Sequence, residues 1–460
     1  MLRMAIVDDD DRIVARFDDG TLALGFPDAN ETLSLDATEL RNLLTRLDRR
    51  CGVQGLRVCG RVVVHGEPSG LLSLHEARSM DLETLELPDA TDMSRMFAEC
   101  QSLVELRLPR KLNTSRVTNM SEMFMGCALD SIELPDWFDT GRVTDMRAMF
   151  AHCHDLKRLV LPDTFDTSCV TDVSHMFAAC DSLETLTLPE KFDTSNVTDM
   201  SRMFYYCRRL REVHLPEAFD TSRVTDMSRM FAGCSRLTEL RLPARFVTSR
   251  VTDMSMMFAS CECIEHLELP ETFDTSNVTD MGHMFDNCSR LERLVLPESF
   301  SGESLEDAHD MFCWCHSLEG IELPESFSTP RLRFAESLFQ GCRSMATIAL
   351  PCGFSITAAV RMGSMFRDCH ALESIRLPES FGTESAEDVS LMFAGCPSLR
   401  ELDLPDAFDI TDVPSRDHMF HECPNLETIR LSERCADALR HVQRNGLGFM
   451  TRLVTRPREG

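Results

Sequence analysis

Cysteine is the residue type with the most evident chemical potential in this sequence, because the chain contains 20 of them. Most of them end one recurring segment, Met-Phe-x-x-Cys or a close variant, and successive copies stand 27 residues apart except for one step of 26. The positions are Cys100, Cys127, Cys153, Cys180, Cys207, Cys234, Cys261, Cys288, Cys315, Cys342, Cys369, Cys396 and Cys423. Stacked repeats place equivalent Cα atoms about 4.8 Å apart, a separation that disulfides accept, but their side chains then point the same way. We predict a buried ladder of free thiols, with occasional oxidative pairing as the alternative.

Two closely spaced cysteine pairs could suggest metal ligands. They are Cys261-Glu-Cys263 and Cys313-Trp-Cys315. No second Cys-x-x-Cys and no histidine pair stands beside them at the spacing that metal sites use. We therefore predict no metal site and no cofactor.

A column of aspartates follows the same period. Its members are Asp145, Asp172, Asp199, Asp226, Asp253 and Asp280. Carboxylates one repeat apart would repel each other, and calcium could relieve that repulsion. The glycine-rich nonapeptide of calcium-binding β-rolls is absent, however. We expect these carboxylates to accept hydrogen bonds from turn backbone, with calcium binding left open.

Catalytic groups do not form a recognisable set. His214 and His266 occupy ordinary exposed positions of predicted strands, and no Gly-x-Ser-x-Gly or phosphate-binding loop occurs. Carboxylates are abundant, but none stands in a unique arrangement with a histidine or a nucleophile. The sequence predicts a protein that is not an enzyme.

One repeated unit must position all these columns, and it is clearest from Phe192 to Pro216. Its second half, L-x-x-L-x-L-P, predicts one short strand per repeat that ends at the proline. Its first half carries Val197, Met200 and Phe204 at the spacing of a tight turn or short helical return, where methionine fills irregular core space. Such a regular period indicates a solenoid.

The predicted fold is a repeat solenoid: a leucine-rich-repeat right-handed coil with one long parallel β-sheet of about fourteen short strands and turn or short-helix returns. The segment L-x-x-L-x-L recurs from Leu82 to Leu431. At about 4.8 Å per strand the sheet should extend roughly 60 Å. A solenoid of this kind presents an extended surface that suits binding of another macromolecule.

Three regions are predicted. Residues 1–79 form a small α+β N-terminal capping region, residues 80–431 the solenoid, and residues 432–460 a C-terminal capping helix and basic tail. A turn at Asp18-Asp19-Gly20 and a helix that begins after Asp36 and contains Glu39 in its first turn are expected in the N-terminal cap.

The C-terminal region also has start and stop signals. Ser432 is expected to cap a helix that runs through Leu439 and Val442 and stops near Gly446. The tail after it should be loose. That tail carries Arg452, Arg456 and Arg458.

Charge and hydropathy restrict the partners. The formal net charge is -28, which would repel nucleic acid and anionic lipid over most of the surface. No window approaches the roughly 18 apolar residues of a membrane-spanning helix. We expect no nucleic-acid partner and no membrane insertion.

The repeat F-D-T-S-x-V-T-D-M-S-x-M-F-x-x-C-x-x-L-x-x-L-x-L-P, as in Phe219 to Pro243 and Phe273 to Pro297, resembles the BspA-like leucine-rich-repeat surface proteins of host-associated bacteria. The resemblance covers about Leu82 to Leu431. It implies a cell-surface or secreted protein that binds host-matrix proteins or other bacterial surface proteins, and it carries over no catalytic residues. The sequence shows neither a signal peptide nor a wall-anchoring motif, so a cytoplasmic protein or a fragment is the alternative.

Two sets of residues are candidates for the binding surface. The first is the variable position between the last two leucines of each strand. Unselected sequence variation at a solvent-exposed position is the alternative explanation for its variety. Its candidates are Arg107, Glu133, His214, Arg241, Glu268, Glu322, Arg376, Asp403 and Arg430. The second set is aromatic and follows Met-Phe: Tyr205, Tyr206 and Trp314 could anchor a partner or could be partly buried packing.

Overall fold

The structure, a computed structural model, describes residues 4–7, 13–26, 31–110, 112–441 and 451–456. The chain forms two compact units, Met1–Phe219 and Asp220–Gly460. Each unit is a stack of coils in which short parallel strands lie in register. The predicted repeat solenoid is confirmed in both units.

The first unit opens with antiparallel pairing. Strands β1 (Met4–Val7), β2 (Ile13–Asp18) and β3 (Thr21–Leu24) pair in sequence order. Asp19 and Gly20 take φ of 46° and 81°, because a two-residue hairpin turn whose twist matches the strands needs positive φ. The predicted turn at these residues is confirmed.

Strand β4 (Thr32–Asp36) runs directly into helix α1 (Ala37–Cys51). The Asp36 carboxylate accepts hydrogen bonds from the amides of Thr38 and Glu39 at 2.8 and 3.1 Å, which satisfies two of the amides that a helix start leaves unpaired. The predicted helix start is therefore confirmed.

Two parallel ladders continue through the next part of the first unit. The strands are β5 (Gly55–Val58), β6 (Arg61–His65), β7 (Ser79–Asp81), β8 (Leu85–Glu86) and β9 (Glu105–Arg107). One ladder joins β3, β5, β7 and β9, and the other joins β4, β6 and β8. Coils are thus already present within the predicted capping region; the boundaries 1–79, 80–431 and 432–460 remain predictions.

In the first coil, the register of the leucines relative to the strands differs from the one that the leucine pattern predicts. Met80 pairs with Leu106 in the main ladder, and the amide of Leu82 donates to the Arg107 carbonyl at 3.0 Å. Leu82 therefore occupies the last leucine position of its coil, whereas Leu85 belongs to the second ladder, beside Val62. The prediction that Leu82 opens the first strand segment was wrong, because this coil lacks the Met-Phe-x-x-Cys segment that sets the frame elsewhere.

The remaining coils of both units repeat the strand at the predicted place, except the coil at residues 318–323. In the first unit the strands are β10 (Ser131–Glu133), β11 (Arg158–Val160), β12 (Thr185–Thr187) and β13 (Glu212–His214). In the second unit they are β14 (Glu239–Leu240), β15 (His266–Glu268), β16 (Arg293–Val295), β17 (Thr347–Ala349), β18 (Ser374–Arg376), β19 (Glu401–Asp403) and β20 (Thr428–Leu431).

Hydrogen-bonded ladders run through small groups of these strands. In the first unit β10 pairs with β11 and β12 with β13; in the second β15 pairs with β16, β17 with β18 and β19 with β20. A three-residue strand makes few ladder bonds, so the pairing between two coils is easily lost. The coil at residues 318–323, which is described in full, has no strand, and Gly320 stands there in a position that disfavours one.

The returns are turns with a dense apolar interior. Met200, Met203 and Phe204 are fully buried, and the phenylalanines of successive coils stack, as Phe150 does on Phe177 at 5.8 Å and 1° between ring planes. Burial of such large side chains is the main stabilising contribution of each coil. The predicted core role of the return methionines is confirmed.

The C-terminal end adds a helix and a strand. The Ser432 hydroxyl accepts from the Cys435 amide at 3.2 Å and caps α2 (Glu433–His441), as predicted; Val442 and Gly446 lie outside the described residues. Strand β21 (Arg452–Thr455) pairs with β20.

The prediction of a loose tail was therefore wrong for residues 451–456. An edge strand exposes backbone amides and carbonyls that have no hydrogen-bond partner. β21 pairs with the edge of β20 and forms hydrogen bonds with these groups. The Arg456 guanidinium also binds Asp403 at 2.5 Å and Asp406 at 3.3 Å. Arg458 lies outside the described residues.

Candidate interaction surface

The outer face of the strands carries two variable columns. In β12, Leu186 is buried while Thr185 and Thr187 on either side are exposed, because alternate residues of a strand face opposite ways. The second exposed position is the column that the sequence predicted. The first was missed, although the period of two would have identified it; it includes Glu105, Ser131, Arg158, Thr185, Glu212, His266, Arg293, Thr347, Ser374 and Glu401.

Ion pairs join the candidates of the first unit to neighbouring charges. The Arg107 guanidinium lies 3.9 Å from the Asp81 carboxylate, and Arg158 contacts Glu133 at 3.4 Å. The third candidate, His214, lies 3.3 Å from Glu212 across its own strand. Exposed pairs of this kind contribute roughly 0–1 kcal/mol, so a partner could replace them at little cost.

In the second unit, strands β14 to β16 form a depression of about 700 Å³ that brings two candidates together. Arg241 and Glu268 line it beside His266, Arg293 and Glu265. Charges of both signs thus face one concave area. We call this area the charged depression.

The other charged candidates of the second unit do not line the charged depression. Glu322 is exposed in the coil without a strand, and Arg376 is exposed at the end of β18. Asp403 binds Arg456, and Arg430 contacts Glu401 at 2.9 Å. These residues are ordinary surface charges in pairs or alone on the strand face.

The two tyrosines pack partly into the return of the first unit. Tyr205 packs against Ala148, Ala151 and Ala178. Tyr206 is 40% exposed and meets the Tyr205 ring edge-on at 4.3 Å. One tyrosine therefore anchors the other, which remains available at the surface.

Trp314 lies over a glycine of the following coil. A Cβ at Gly341 would come within 2.5 Å of the Trp314 ring. Any larger residue at position 341 would therefore clash with the ring in its present position. Trp314 also meets His316 edge-on at 5.7 Å. This candidate is half-buried, and both its ring and the positive φ of Gly341 favour glycine at that position.

The cysteine column is a line of buried thiols, as predicted. Every described cysteine is unpaired. Column thiols donate to carbonyls of the preceding coil, as Cys207 does to Phe177 at 3.1 Å and Cys288 does to Phe258 at 3.2 Å. Burial raises the pKa of Cys153 and Cys207 to about 12, because the low-dielectric core disfavours a thiolate. These thiols are structural donors with little nucleophilic character.

The aspartate column holds turn backbone, which confirms the hydrogen-bonding prediction. The Asp199 carboxylate accepts from the Ser201 amide at 2.8 Å, and Asp145 does the same for Arg147 at 2.9 Å. Burial raises the pKa of Asp145, and the Asp172 carboxylate one coil away adds to this effect.

A second depression, of about 580 Å³, lies on the returns of the first unit and contains none of the residues predicted for the binding surface. Glu99, His152, His154 and Asp155 are among its lining residues. Its residues come from the variable positions around the column cysteines. Aligning the coils around Cys127 and Cys153 would have indicated this surface.

Neither described helix has the length and apolar character needed to cross a bilayer.

Comparisons with known proteins give two family matches. The model described as "Mycoplasma protein of unknown function, DUF285" matches residues 72–185, 131–238, 212–325 and 252–377. The model described as "BspA type Leucine rich repeat region (6 copies)" matches residues 334–442. A search of curated proteins finds no match.

Solved structures with related architecture include bacterial leucine-rich-repeat proteins. One from Bacteroides ovatus is 16% identical, with 96% of this chain and 98% of that chain covered and a TM-score of 0.39. The leucine-rich-repeat protein of T. pallidum is 25% identical over 46% of this chain and 85% of its own, with a TM-score of 0.32. A leucine-rich cell surface protein from Faecalibacterium prausnitzii is 14% identical over 99% and 96%, also with a TM-score of 0.32.

The family assignment rests on the sequence matches. Those of the first model overlap one another and together run from residue 72 to residue 377, which is more than half of the 460 residues. The adjoining match to residue 442 has the BspA type of repeat, so the resemblance seen in the sequence is confirmed. The chain belongs to the DUF285 family and is a BspA-type leucine-rich-repeat protein.

Proposed function

We propose that this protein is a non-enzymatic scaffold that binds another protein through the outer face of its strands, with the charged depression as the principal contact area. The observation that carries the proposal is the convergence of Arg241, Glu268, Arg293 and His266 on one concave area of about 700 Å³. Core packing does not require these side chains, since the neighbouring Leu267 alone fills the interior at that strand.

The chemistry of the charged depression favours a protein partner. Small-molecule sites are lined mainly by apolar and aromatic side chains, whereas six of the eleven lining residues here are arginine, glutamate or histidine. Charges of both signs suit a polar loop or strand of a partner that offers donors and acceptors together. The net charge of -28 disfavours a phosphate backbone.

We further propose that the partner is a host-matrix protein or another bacterial surface protein, and that the chain acts at the cell surface or in secreted form. The support is the BspA type of its repeats. A protein-interaction module without surface anchoring is the alternative. Fractionating cells and locating the chain with an antibody separates the two.

Binding through the charged depression can be tested with a triple variant, Arg241→Ser, Glu268→Ser and Arg293→Ser. Proteins captured from matrix extract and bacterial lysate by the full chain would be identified and then titrated in purified form. We expect the triple variant to bind the identified partner at least tenfold more weakly, with unchanged thermal stability because all three side chains face solvent.

The matched control exchanges three exposed residues of the second unit that lie in turns, off the strand face, and do not line the charged depression: Arg250→Ser, Glu271→Ser and Arg331→Ser. This control should bind as the unaltered chain does. Equal affinity of the triple variant and the unaltered chain would refute the charged depression as the contact area.

The exposed tyrosine is a second candidate contact, since Tyr206 is held outward by Tyr205 and lies under the Arg208 guanidinium at 5.1 Å. Tyr206→Ala measures its contribution against the same purified partner. A loss above tenfold in this variant with no loss in the triple variant would move the binding site to the returns.

A further inference from the structure

Two histidines from successive returns of the second unit lie face to edge. The ring centroids of His283 and His309 are 4.5 Å apart at 82°, and Asp310 follows directly. One ligand atom from each of these three residues lies within 4.8 Å of the other two; Nε2 of His283 is 3.8 Å from Oδ2 of Asp310. The histidines are 26 residues apart, so only an alignment of coils could have indicated that they meet.

Each ring is oriented by a carboxylate on its other nitrogen. Nδ1 of His283 lies 3.1 Å from Oδ2 of Asp286, and Nδ1 of His309 lies 2.5 Å from Oδ1 of Asp307. A carboxylate at Nδ1 fixes the tautomer that carries its proton there and leaves the lone pair of Nε2 free. Carboxylate, histidine and metal occur in this order in established zinc sites.

A glycine makes room for the second ring. A Cβ at Gly282 would come within 2.7 Å of Cε1 of His309. Gly282 does not have the positive φ that would itself require glycine. Preceding coils carry serine at this position: Ser174, Ser201, Ser228 and Ser255. The departure from serine therefore coincides with the coil whose neighbour supplies His309.

We propose that His283, His309 and Asp310 bind one Zn²⁺ ion that joins two neighbouring coils of the second unit, with the fourth position left to water. Imidazole nitrogen and carboxylate oxygen are ligands that zinc accepts in tetrahedral geometry at about 2.0–2.2 Å. This geometry brings ligand atoms to about 3.3 Å of each other, so the side chains must close by up to about 1.5 Å. All three are only partly buried, which permits that movement.

The ligand types select the metal class. Calcium and magnesium prefer an all-oxygen shell, whereas imidazole suits zinc, copper and nickel. An ion held by residues of two coils binds the folded stack and not the unfolded chain, so it stabilises the fold in proportion to its occupancy. The site is separate from the charged depression, so the proposal does not depend on the proposed binding function.

The test is titration of the metal-free, reduced full chain with Zn²⁺ by calorimetry, compared with the double variant His283→Gln and His309→Gln. The unaltered chain should bind one more Zn²⁺ equivalent than the double variant, and X-ray absorption at the zinc edge should show two imidazoles. Comparing the two proteins removes any contribution of accessible cysteines, which both contain. Equal stoichiometry would overturn the proposal.

The matched control is His175→Gln, at the same repeat position as His283 but followed in the next coil by Ser201 and Arg202. It should keep the full zinc stoichiometry, and loss of an equivalent here would overturn the assignment. Without zinc, the double variant should retain the circular dichroism spectrum of the unaltered chain. If the spectrum changes, the single variants Gly282→Ser and Asp286→Asn test the zinc site instead.

Gly282→Ser restores the residue of the preceding coils and should weaken zinc binding about tenfold by displacing the His309 ring. Asp286→Asn removes the carboxylate that orients His283 and should weaken binding by about 10–100-fold. Unchanged zinc affinity in both variants would overturn the proposed geometry.

Discussion

The hydroxyl of Thr140 donates a hydrogen bond to the carbonyl oxygen of Asp166 at 2.8 Å and accepts one from the amide of the same residue, also at 2.8 Å. Thr140 is fully buried, and Asp166 belongs to the next coil. The same two-way contact joins Thr329 to Ser355, and Thr383 to Asp409. One hydroxyl thus satisfies both polar groups of a peptide backbone in the neighbouring coil.

Replacing this hydroxyl by a methyl group should destabilise the first unit. Thr140→Val leaves the amide and carbonyl of the partly buried Asp166 without their partner, which costs about 1–3 kcal/mol. Chemical denaturation followed by circular dichroism measures the loss. Thr140→Ser keeps the hydroxyl and should recover most of the stability, whereas the exposed control Thr185→Val should be nearly neutral. A Thr140→Val variant as stable as the control would contradict this account.

Two of the column thiols, Cys207 and Cys288, should resist alkylation in the folded protein. Burial raises the pKa of Cys207 and Cys288 to about 12, so roughly one thiol in ten thousand is ionised at pH 8 even before access is considered. Exposed Cys169 and Cys352 should react with iodoacetamide first, and mass spectrometry identifies the labelled sites. The variant Cys169→Ser, Cys352→Ser should lose that rapid phase. Rapid labelling of Cys207 in the native chain would contradict the predicted protection.

Asp145→Asn should slightly stabilise the protein at neutral pH. The amide oxygen can still accept from the Arg147 amide, as Asn119 does from Ser121 at 2.9 Å in the same column, while the cost of burying a charge disappears. We expect a gain of about 0.5 kcal/mol or less, because solvent screens a half-exposed carboxylate.

The gain from Asp145→Asn should depend on pH. Because folding raises the pKa of Asp145, this group stabilises the fold most when protonated, and its contribution is lost as pH rises through the folded-state pKa. The difference in melting temperature between Asn and Asp variants should therefore be largest near pH 7 and shrink toward pH 3. A difference that grows on acidification would contradict the sign of this shift.

Two glycines of the second unit should respond oppositely to alanine. Gly341 has φ of 75° and lies under the Trp314 ring, so Gly341→Ala should cost about 1–2 kcal/mol from backbone strain and displaced packing. Gly320 has nothing within 4 Å of a built Cβ and no positive φ. Gly320→Ala should be neutral or stabilise the fold by about 0.5 kcal/mol, because alanine lowers the conformational entropy of the unfolded chain. Thermal melts of the two variants compare them directly, and equal losses would contradict this distinction.

The sequence by itself determined the repeat, the strand position in most coils and the columns of the core. Cysteine, methionine and phenylalanine recur where a coil must bury the same shape against the next, so a local pattern repeated at one period is enough to predict stacking. It also determined the helix starts at Asp36 and Ser432, because capping depends on a side chain and amides within three residues.

Only the tertiary structure decided which residues of different coils meet. The frame of the first coil depends on the pairing of Met80 with Leu106, and the place of the tail depends on the open edge of β20. The approach of His283 to His309, and the contact of Thr140 with Asp166, join residues 26 positions apart. Contacts between coils depend on the stacking distance and on the sizes of the facing side chains. Both are properties of two adjacent coils, so the sequence of one repeat does not determine them.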